Sequence, residues 1–146
     1  AVCFRYIGEK EAAKDVLHDG FITLFSKIGS YKGDGSFEGW ARRIFITAAL
    51  MHLRKKDVLK NAGQVEDYGK EAIYDQGIIE KMDAQVLLKV ISQMPAGFRT
   101  VFNMYAIEGY SHQEIAKELN ISEGGSRSQL SRAKLWLKEK TREFER

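Results

Sequence analysis

Two helical patterns separated by a turn of about three residues occupy residues 109–140. Ser111 and Glu114 have the spacing of a capping box, which predicts a helix start, and Asn120 suits the left-handed conformation in which many helices end. Ser122 can cap the second helix. The predicted buried stripes contain Ile115, Ala116 and Leu119 in the first helix and Leu130, Ala133 and Leu137 in the second. This spacing predicts a helix-turn-helix.

The second of these helices carries a positively charged polar face. Residues 123–142 contain six basic residues against two acidic ones, and a helix that reads the major groove of DNA needs such a face. A helical hairpin without a DNA function is the alternative, and it would more often alternate its charges. The residues expected on this face are Arg127, Ser128, Ser131, Arg132 and Lys134, with the arginines and serines reaching base edges and Lys134 and Lys138 contacting the DNA backbone.

The remaining sequence predicts further helices and no strand. Residues 9–28 carry an apolar stripe of Ala13, Leu17, Phe21, Leu24 and Ile28, and residues 37–56, capped by Ser36, carry Phe37, Trp40, Ile44, Ala48 and Met51. A third helix restarts near residue 79 and stops before Pro95, which suits the first turn of a fourth. We therefore expect an all-α protein with two small helical domains, residues 1–56 and 79–146, joined by a linker at residues 57–78.

The charge distribution supports this division. The net charge is only +3, but residues 39–60 contain six basic residues against one acidic, whereas residues 66–83 contain six acidic against two basic. We expect the acidic linker to lie against the basic faces of the free protein. Because the chain lacks an initiating methionine and starts with a helical pattern, we also expect further residues before Ala1.

Several function classes find no support in the sequence. The single cysteine, Cys3, excludes an internal disulfide and fits a cytoplasmic protein, and no apolar run is long enough to cross a membrane. His18, His52 and His112 lack metal-ligand spacing, and no phosphate-binding glycine loop is present. We therefore expect no enzyme activity, no metal and no cofactor.

The loop and helix around residues 29–43 interleave aromatic and basic side chains. Tyr31, Phe37 and Trp40 alternate here with Lys32 and an arginine pair at positions 42 and 43. Unpaired bases stack on aromatic rings while cations follow the backbone, so this composition suits single-stranded nucleic acid. The alternative is that Phe37 and Trp40 belong to the core.

Six motifs in order resemble RNA polymerase sigma factors of the extracytoplasmic-function type. They are residues 15–21 (DVLHDGF), 37–44 (FEGWARRI), 53–55 (LRK), 94–102 (MPAGFRTVF), 108–111 (EGYS) and 124–133 (GGSRSQLSRA). His18, Thr47 and Gly125 stand where the family usually has Gln, Asn and Thr. The resemblance covers nearly the whole chain, and the order and spacing of the motifs make it specific.

The resemblance implies binding to core RNA polymerase and promoter DNA, and an anti-sigma factor is implied by the family only. The implied polymerase contacts are Asp15, His18, Asp19 and Phe21. The implied contacts to the promoter element near the start site are Tyr31, Lys32, Phe37, Trp40, Arg42, Arg43, Thr47 and Arg54. The implied contacts to the upstream element are Ser111, Gly124, Gly125, Ser126, Arg127, Ser128, Gln129, Ser131, Arg132 and Lys134.

A free-standing helix-turn-helix regulator is the competing function. Such a protein normally binds DNA as a symmetric dimer. It would explain residues 109–140 but would give residues 15–56 no role.

Overall fold

A computed structural model describes residues 1–55 and 82–145, and every regular element in these ranges is helical. The helices are α1 (Val2–Ile7), α2 (Lys10–Lys27), a 3₁₀ turn (Ile28–Ser30), α3 (Phe37–Lys55), α4 (Ala84–Gln93), α5 (Ala96–Phe102), a π-helix (Asn103–Ile107), α6 (His112–Leu119) and α7 (Glu123–Glu145). The all-α prediction is confirmed. The predicted linker at residues 57–78 lies outside the described residues.

Side-chain caps begin the helices where local sequence predicts them. The hydroxyl oxygens of Ser36, Ser111 and Ser122 accept hydrogen bonds from backbone N–H groups three residues further on, at 2.9–3.1 Å. Each bond satisfies one donor that a helix start would otherwise leave unpaired. Asn120 adopts the left-handed conformation with φ 55°, so the predicted end of α6 is also confirmed.

The predicted buried stripe of α2 is wrong in part. Leu17, Phe21 and Ile28 are at least 40% exposed, whereas the predicted Ala13 and Leu24 are buried together with Val16 and Gly20. Gly20 explains the difference, because the ring of Phe45 occupies the space beside it. A Cβ at position 20 would lie 2.3 Å from Phe45 Cδ1. Helix α3 therefore packs on the small-residue face of α2 and leaves the large apolar side chains partly exposed.

The predicted stripe of α3 is also shifted. Its buried residues are Ile46, Ala49, Leu50 and Leu53, whereas Met51 is 52% exposed and Phe37 is 45% exposed. Helix α3 packs against both α1 and α2, so the face between these two contacts is the one that is buried.

One hydrophobic core connects the N-terminal and C-terminal helices of the described chain. Helix α1 packs against α2 and α3 and also against α4 and α5. The fully buried residues include Tyr6 in α1, Ile91 in α4 and Val101 in α5, with Ile115 in α6 and Ala133 in α7.

The side chain of Arg99 joins the ends of α1 and α4. Its guanidinium donates hydrogen bonds to four backbone carbonyls, those of Tyr6, Ile7, Ser92 and Met94, at 2.9–3.1 Å. Carbonyls at a helix C-terminus have no partner within the helix, so the guanidinium supplies the missing donors. Burial lowers the pKa of Arg99 from its ordinary value.

A buried ion pair holds α1 to the π-helix region. Arg5 Nη2 lies 2.9 Å from Glu108 Oε1, and the two side chains are only 8% and 5% exposed. Asn103 completes the arrangement, because its amide donates to the Arg5 carbonyl at 2.8 Å and its amide oxygen accepts from Arg5 Nη1 at 3.3 Å. Every member of this small network therefore gains a hydrogen bond, which is the condition under which buried polar groups are tolerated.

We expect Arg99→Met to destabilise the protein by about 3 kcal/mol or more, because several buried carbonyls lose a charged donor. Urea unfolding at neutral pH measures the change. Arg142→Met, which removes an exposed arginine from α7, is the matched control and should change the free energy of unfolding by less than about 0.5 kcal/mol. An equally small effect of Arg99→Met would contradict the structural role of its guanidinium.

Candidate nucleic-acid and polymerase interfaces

Helices α6 and α7 form the helix-turn-helix. The turn between them runs from Asn120 to Ser122, and the backbone N–H of Ile121 donates to the Ala116 carbonyl at 3.0 Å. Ile115 in α6 is fully buried, as is Ala133 in α7, with Leu130 and Leu137 beside it. The apolar faces of the two helices thus pack together and fix the exposed face of α7.

The first half of α7 presents fewer polar side chains to solvent than its sequence predicts. Arg127 is 60% exposed at its side chain and lies 3.7 Å from Glu123, its neighbour one turn earlier. Ser131, Arg132 and Lys134 are half-buried, and the Arg132 guanidinium lies 5.9 Å from the centre of the Phe98 ring. Ser111 is exposed at the start of α6, and Gly124 is half-buried.

The surface placement predicted for Ser128 is wrong, because its side chain is buried. Gly125, Ser126 and Gln129 are buried as well. The physical reason is that α7 packs against α5 in addition to α6, so two of its faces are covered. Contacts of these four residues with DNA stay a prediction.

Tyr31, Phe37 and Trp40 form an aromatic cluster, and Lys32 is exposed beside it. The three ring centroids lie 5.3–5.6 Å apart. The Tyr31 hydroxyl donates to the Gly35 carbonyl at 2.7 Å and closes the loop before α3. Phe37 is exposed and Trp40 is half-buried. The cluster therefore offers ring faces to a ligand without belonging to the hydrophobic core.

An open groove of about 760 Å³ runs between α2 and α3 and begins at this cluster. Trp40 lines one end, and Arg43 and Thr47 of α3 lie along its length opposite Asp19 and Thr23 of α2. The groove combines an aromatic surface, hydroxyl groups and the cations Lys27, Arg43 and Lys55 with one carboxylate, that of Asp19. Aromatic rings and cations bind single-stranded nucleic acid by stacking and by phosphate contacts.

The exposed surface of α2 combines acidic side chains with apolar ones. Asp15, His18 and Asp19 are exposed, and Phe21 is 43% exposed beside Phe25, with 6.4 Å between the ring centroids. An apolar anchor surrounded by charges is typical of a protein-binding surface. All four residues predicted to contact polymerase are therefore exposed, but Asp19 and Phe21 lie on different sides of α2, because residues two apart in a helix do not face each other.

Three predicted promoter contacts in α3 pair with residues of the C-terminal half, which sequence reasoning did not foresee. Arg42 Nη1 lies 3.6 Å from Glu108 Oε2, and Arg43 Nη2 lies 2.9 Å from Glu118 Oε1. Arg54 donates to the Glu118 carbonyl. Because the partners are 64 to 75 residues apart for Arg43 and Arg54, no local pattern in the sequence could have revealed these pairs.

The described ranges contain no group of three or more His, Cys, Asp or Glu side chains arranged to hold a metal ion. Within the same ranges, none of the helices combines the length and apolar character that crossing a membrane requires.

Two family models match the chain, one over its N-terminal helices and one over its C-terminal helices. Residues 1–58 match "Sigma-70 region 2", and residues 84–137 match "Sigma-70, region 4". Together the two matches span most of the chain.

Curated relatives agree with these matches. The RNA polymerase sigma-H factor of Pseudomonas aeruginosa is 28% identical over 141 residues, which cover 89% of this chain and 73% of the relative. The ECF RNA polymerase sigma factor SigE of Mycolicibacterium smegmatis is 27% identical over 146 residues, which cover 94% of this chain and 55% of the relative.

A solved structure shares the fold. It contains the sigma factor RpoE of Bartonella quintana in complex with the anti-sigma factor NepR, and it superposes with a TM-score of 0.57 at 19% identity over 94% of this chain and 86% of that chain. The family matches, the relatives and the helical architecture agree: the chain belongs to the sigma-70 family of RNA polymerase sigma factors, in the extracytoplasmic-function group.

Proposed function

We propose that this sigma factor divides promoter recognition between its two helical units. The N-terminal helices, residues 1–56, bind core RNA polymerase and open the promoter near the start site, and residues 79–146 read the upstream element. The observation that carries this proposal is the order of the two family matches, region 2 at residues 1–58 and region 4 at residues 84–137. A free-standing regulator would not need the first match.

The partners follow from the same assignment. Core RNA polymerase and promoter DNA are required for initiation, and the protein would act in the cytoplasm, where both are found. Because the Bartonella quintana protein is bound by the anti-sigma factor NepR, we propose that an anti-sigma factor also controls this chain. Sigma factors work as subunits of the polymerase, so we assign no catalytic residue.

Reconstitution tests the proposed function. The full chain should comigrate with core RNA polymerase and direct transcription from a subset of a random promoter library. DNA binding without any association with core polymerase would instead identify a free-standing regulator.

The acidic and apolar face of α2 is proposed to bind core polymerase through Asp15, His18, Asp19 and Phe21. Exposure of all four side chains supports this assignment. Charged groups around an apolar anchor provide specificity, while burial of the anchor provides most of the binding free energy.

We expect Asp19→Arg to weaken binding to core polymerase by at least about tenfold, because it places a cation on an acidic docking face. A competition assay against labelled wild-type protein measures the affinity. Glu143→Arg makes the same charge change at an exposed site near the end of α7 and should leave the affinity unchanged. Equal affinities of the two variants, with normal helicity, would remove this face from the interface.

The aromatic cluster and the neighbouring groove are proposed to hold the opened strand of the promoter. Tyr31, Phe37 and Trp40 supply ring faces, and the proposed backbone contacts are Lys32, Arg42, Arg43, Thr47 and Arg54. Base stacking on an aromatic side chain contributes roughly 1–3 kcal/mol per base. This contribution arises only after the strands separate, so the cluster should act on opening rather than on initial binding.

We expect Phe37→Ala to reduce open-complex formation by about tenfold while binding to closed duplex changes little, because stacking requires an unpaired base. Permanganate footprinting of the holoenzyme reports the open strand. Leu135→Ala is the matched control, since Leu135 and Phe37 are both 45% exposed. Normal opening by a well-folded Phe37→Ala protein would contradict the role of the cluster.

Among the α7 residues proposed to read the upstream element, Arg127 has the most exposed side chain. It lies in the N-terminal half of α7, the part that a helix-turn-helix inserts into the major groove. Ser131, Arg132 and Lys134 lie further along the same helix and are proposed as flanking contacts.

We expect Arg127→Ala to lower the preference for the upstream element by about 1–3 kcal/mol, because an arginine that pairs with a guanine distinguishes it from other bases. Lys138→Ala should weaken binding to cognate and scrambled elements alike and should reduce the salt dependence. Both variants are measured in holoenzyme across a salt series. If Arg127→Ala affected both elements equally, Arg127 would be a phosphate contact and not a base reader.

A further inference from the structure

His112 connects the two helices of the helix-turn-helix at their N-terminal ends. It is the first residue of α6, and its Nδ1 atom lies 2.8 Å from the hydroxyl oxygen of Ser126, in the first turn of α7. The Ser126 side chain is fully buried. A buried hydroxyl needs a hydrogen-bond partner, and the imidazole provides one. The pair is therefore a direct polar link between the two helices, next to Arg127.

The face of the His112 imidazole also contacts an aromatic side chain. The ring of Tyr105 stacks on it with 4.5 Å between the centroids and 17° between the planes. Tyr105 belongs to the π-helix, so the stack extends from the segment before the helix-turn-helix to its first helix. The stack fixes the plane of the ring, and the hydrogen bond to Ser126 fixes its rotation within that plane.

From this geometry we infer that His112 is a positioning residue for promoter reading. Through Ser126 it sets the orientation of the first turn of α7, and with it the position of Arg127 in the major groove. This inference rests on the proposed role of α7 in reading the upstream element. It adds a residue that the sequence motifs do not include, because the link joins side chains 14 residues apart and has no local signature.

The charged surroundings of His112 favour its neutral form. Burial lowers the pKa of His112 below its ordinary value of 6.5, Arg127 and Lys134 of α7 lower it further, and Glu123 opposes them. Tyr105 faces the ring from the π-helix. The unfolded chain therefore takes up a proton more readily than the folded one, so stability is retained above about pH 6.5 and decreases as the pH falls below that value.

A double-mutant cycle on the holoenzyme tests the inference. His112→Ala, Ser126→Ala and the double variant are compared by the ratio of binding to promoters with intact and scrambled upstream elements. Each single variant should lower this ratio about 5- to 10-fold, and the double variant should lower it no further, because either change already breaks the link. Binding to core polymerase should remain unchanged, because neither residue lies in the helices proposed to contact it.

Two further variants separate positioning from stability. His112→Asn retains a hydrogen-bonding amide near the position of Nδ1 and should restore most of the ratio. Gln113→Ala, on the exposed side of α6, is the control for a neighbouring change and should match the wild type.

The outcomes are distinguishable. Additive effects of His112→Ala and Ser126→Ala, or a normal ratio in His112→Ala, would overturn the inference while leaving the proposed function intact. A wild-type holoenzyme that does not distinguish intact from scrambled upstream elements would instead contradict the proposed function.

Discussion

The arrangement of the helices depends on the hydrogen bonds that the guanidinium of Arg99 donates. It donates to the carbonyls at the ends of α1 and α4, which are more than 80 residues apart in the sequence. Helix α1 has only six residues, and an isolated helix of this length is not stable in water. Its position between the N-terminal and C-terminal helices is therefore set by tertiary contacts. Gly8 allows the close approach, since a Cβ there would lie 2.4 Å from Arg99 Nη1.

The sequence predicts the local features of this fold better than its packing. Caps at Ser36, Ser111 and Ser122 and the left-handed Asn120 depend on neighbouring residues, and all are present. The buried faces of α2 and α3 depend on which helix packs where, and hydrophobic periodicity cannot distinguish an apolar residue that meets the core from one left exposed. Predicted site residues show the same limit: Arg127 is exposed as expected, but Ser128 is covered by the packing of α7.

The ion pairs Arg5–Glu108 and Arg43–Glu118 represent two physical classes. Arg5 and Glu108 are buried and hydrogen-bonded, and removing Glu108 would leave the buried Arg5 charge without its anion, at a cost of several kcal/mol. Arg43 and Glu118 are about half exposed, and such a pair contributes only about 0–1 kcal/mol. A phosphate can therefore replace Glu118 beside Arg43 at little cost in stability. The first class maintains the fold, whereas the second leaves its cations available to another anion.

The π-helix at Asn103–Ile107 fixes the number of residues that the chain can have between α5 and α6. Its hydrogen bonds join residues five apart instead of the four of an α-helix, as in the bond from the Glu108 N–H to the Asn103 carbonyl, and the side chains of Asn103 and Met104 are buried. Because each α-helical residue turns the chain by about 100° and advances it by about 1.5 Å, deleting or inserting one residue here would rotate everything that follows. A change in the length of this segment would therefore move Glu108 away from Arg5 and the recognition unit away from the core.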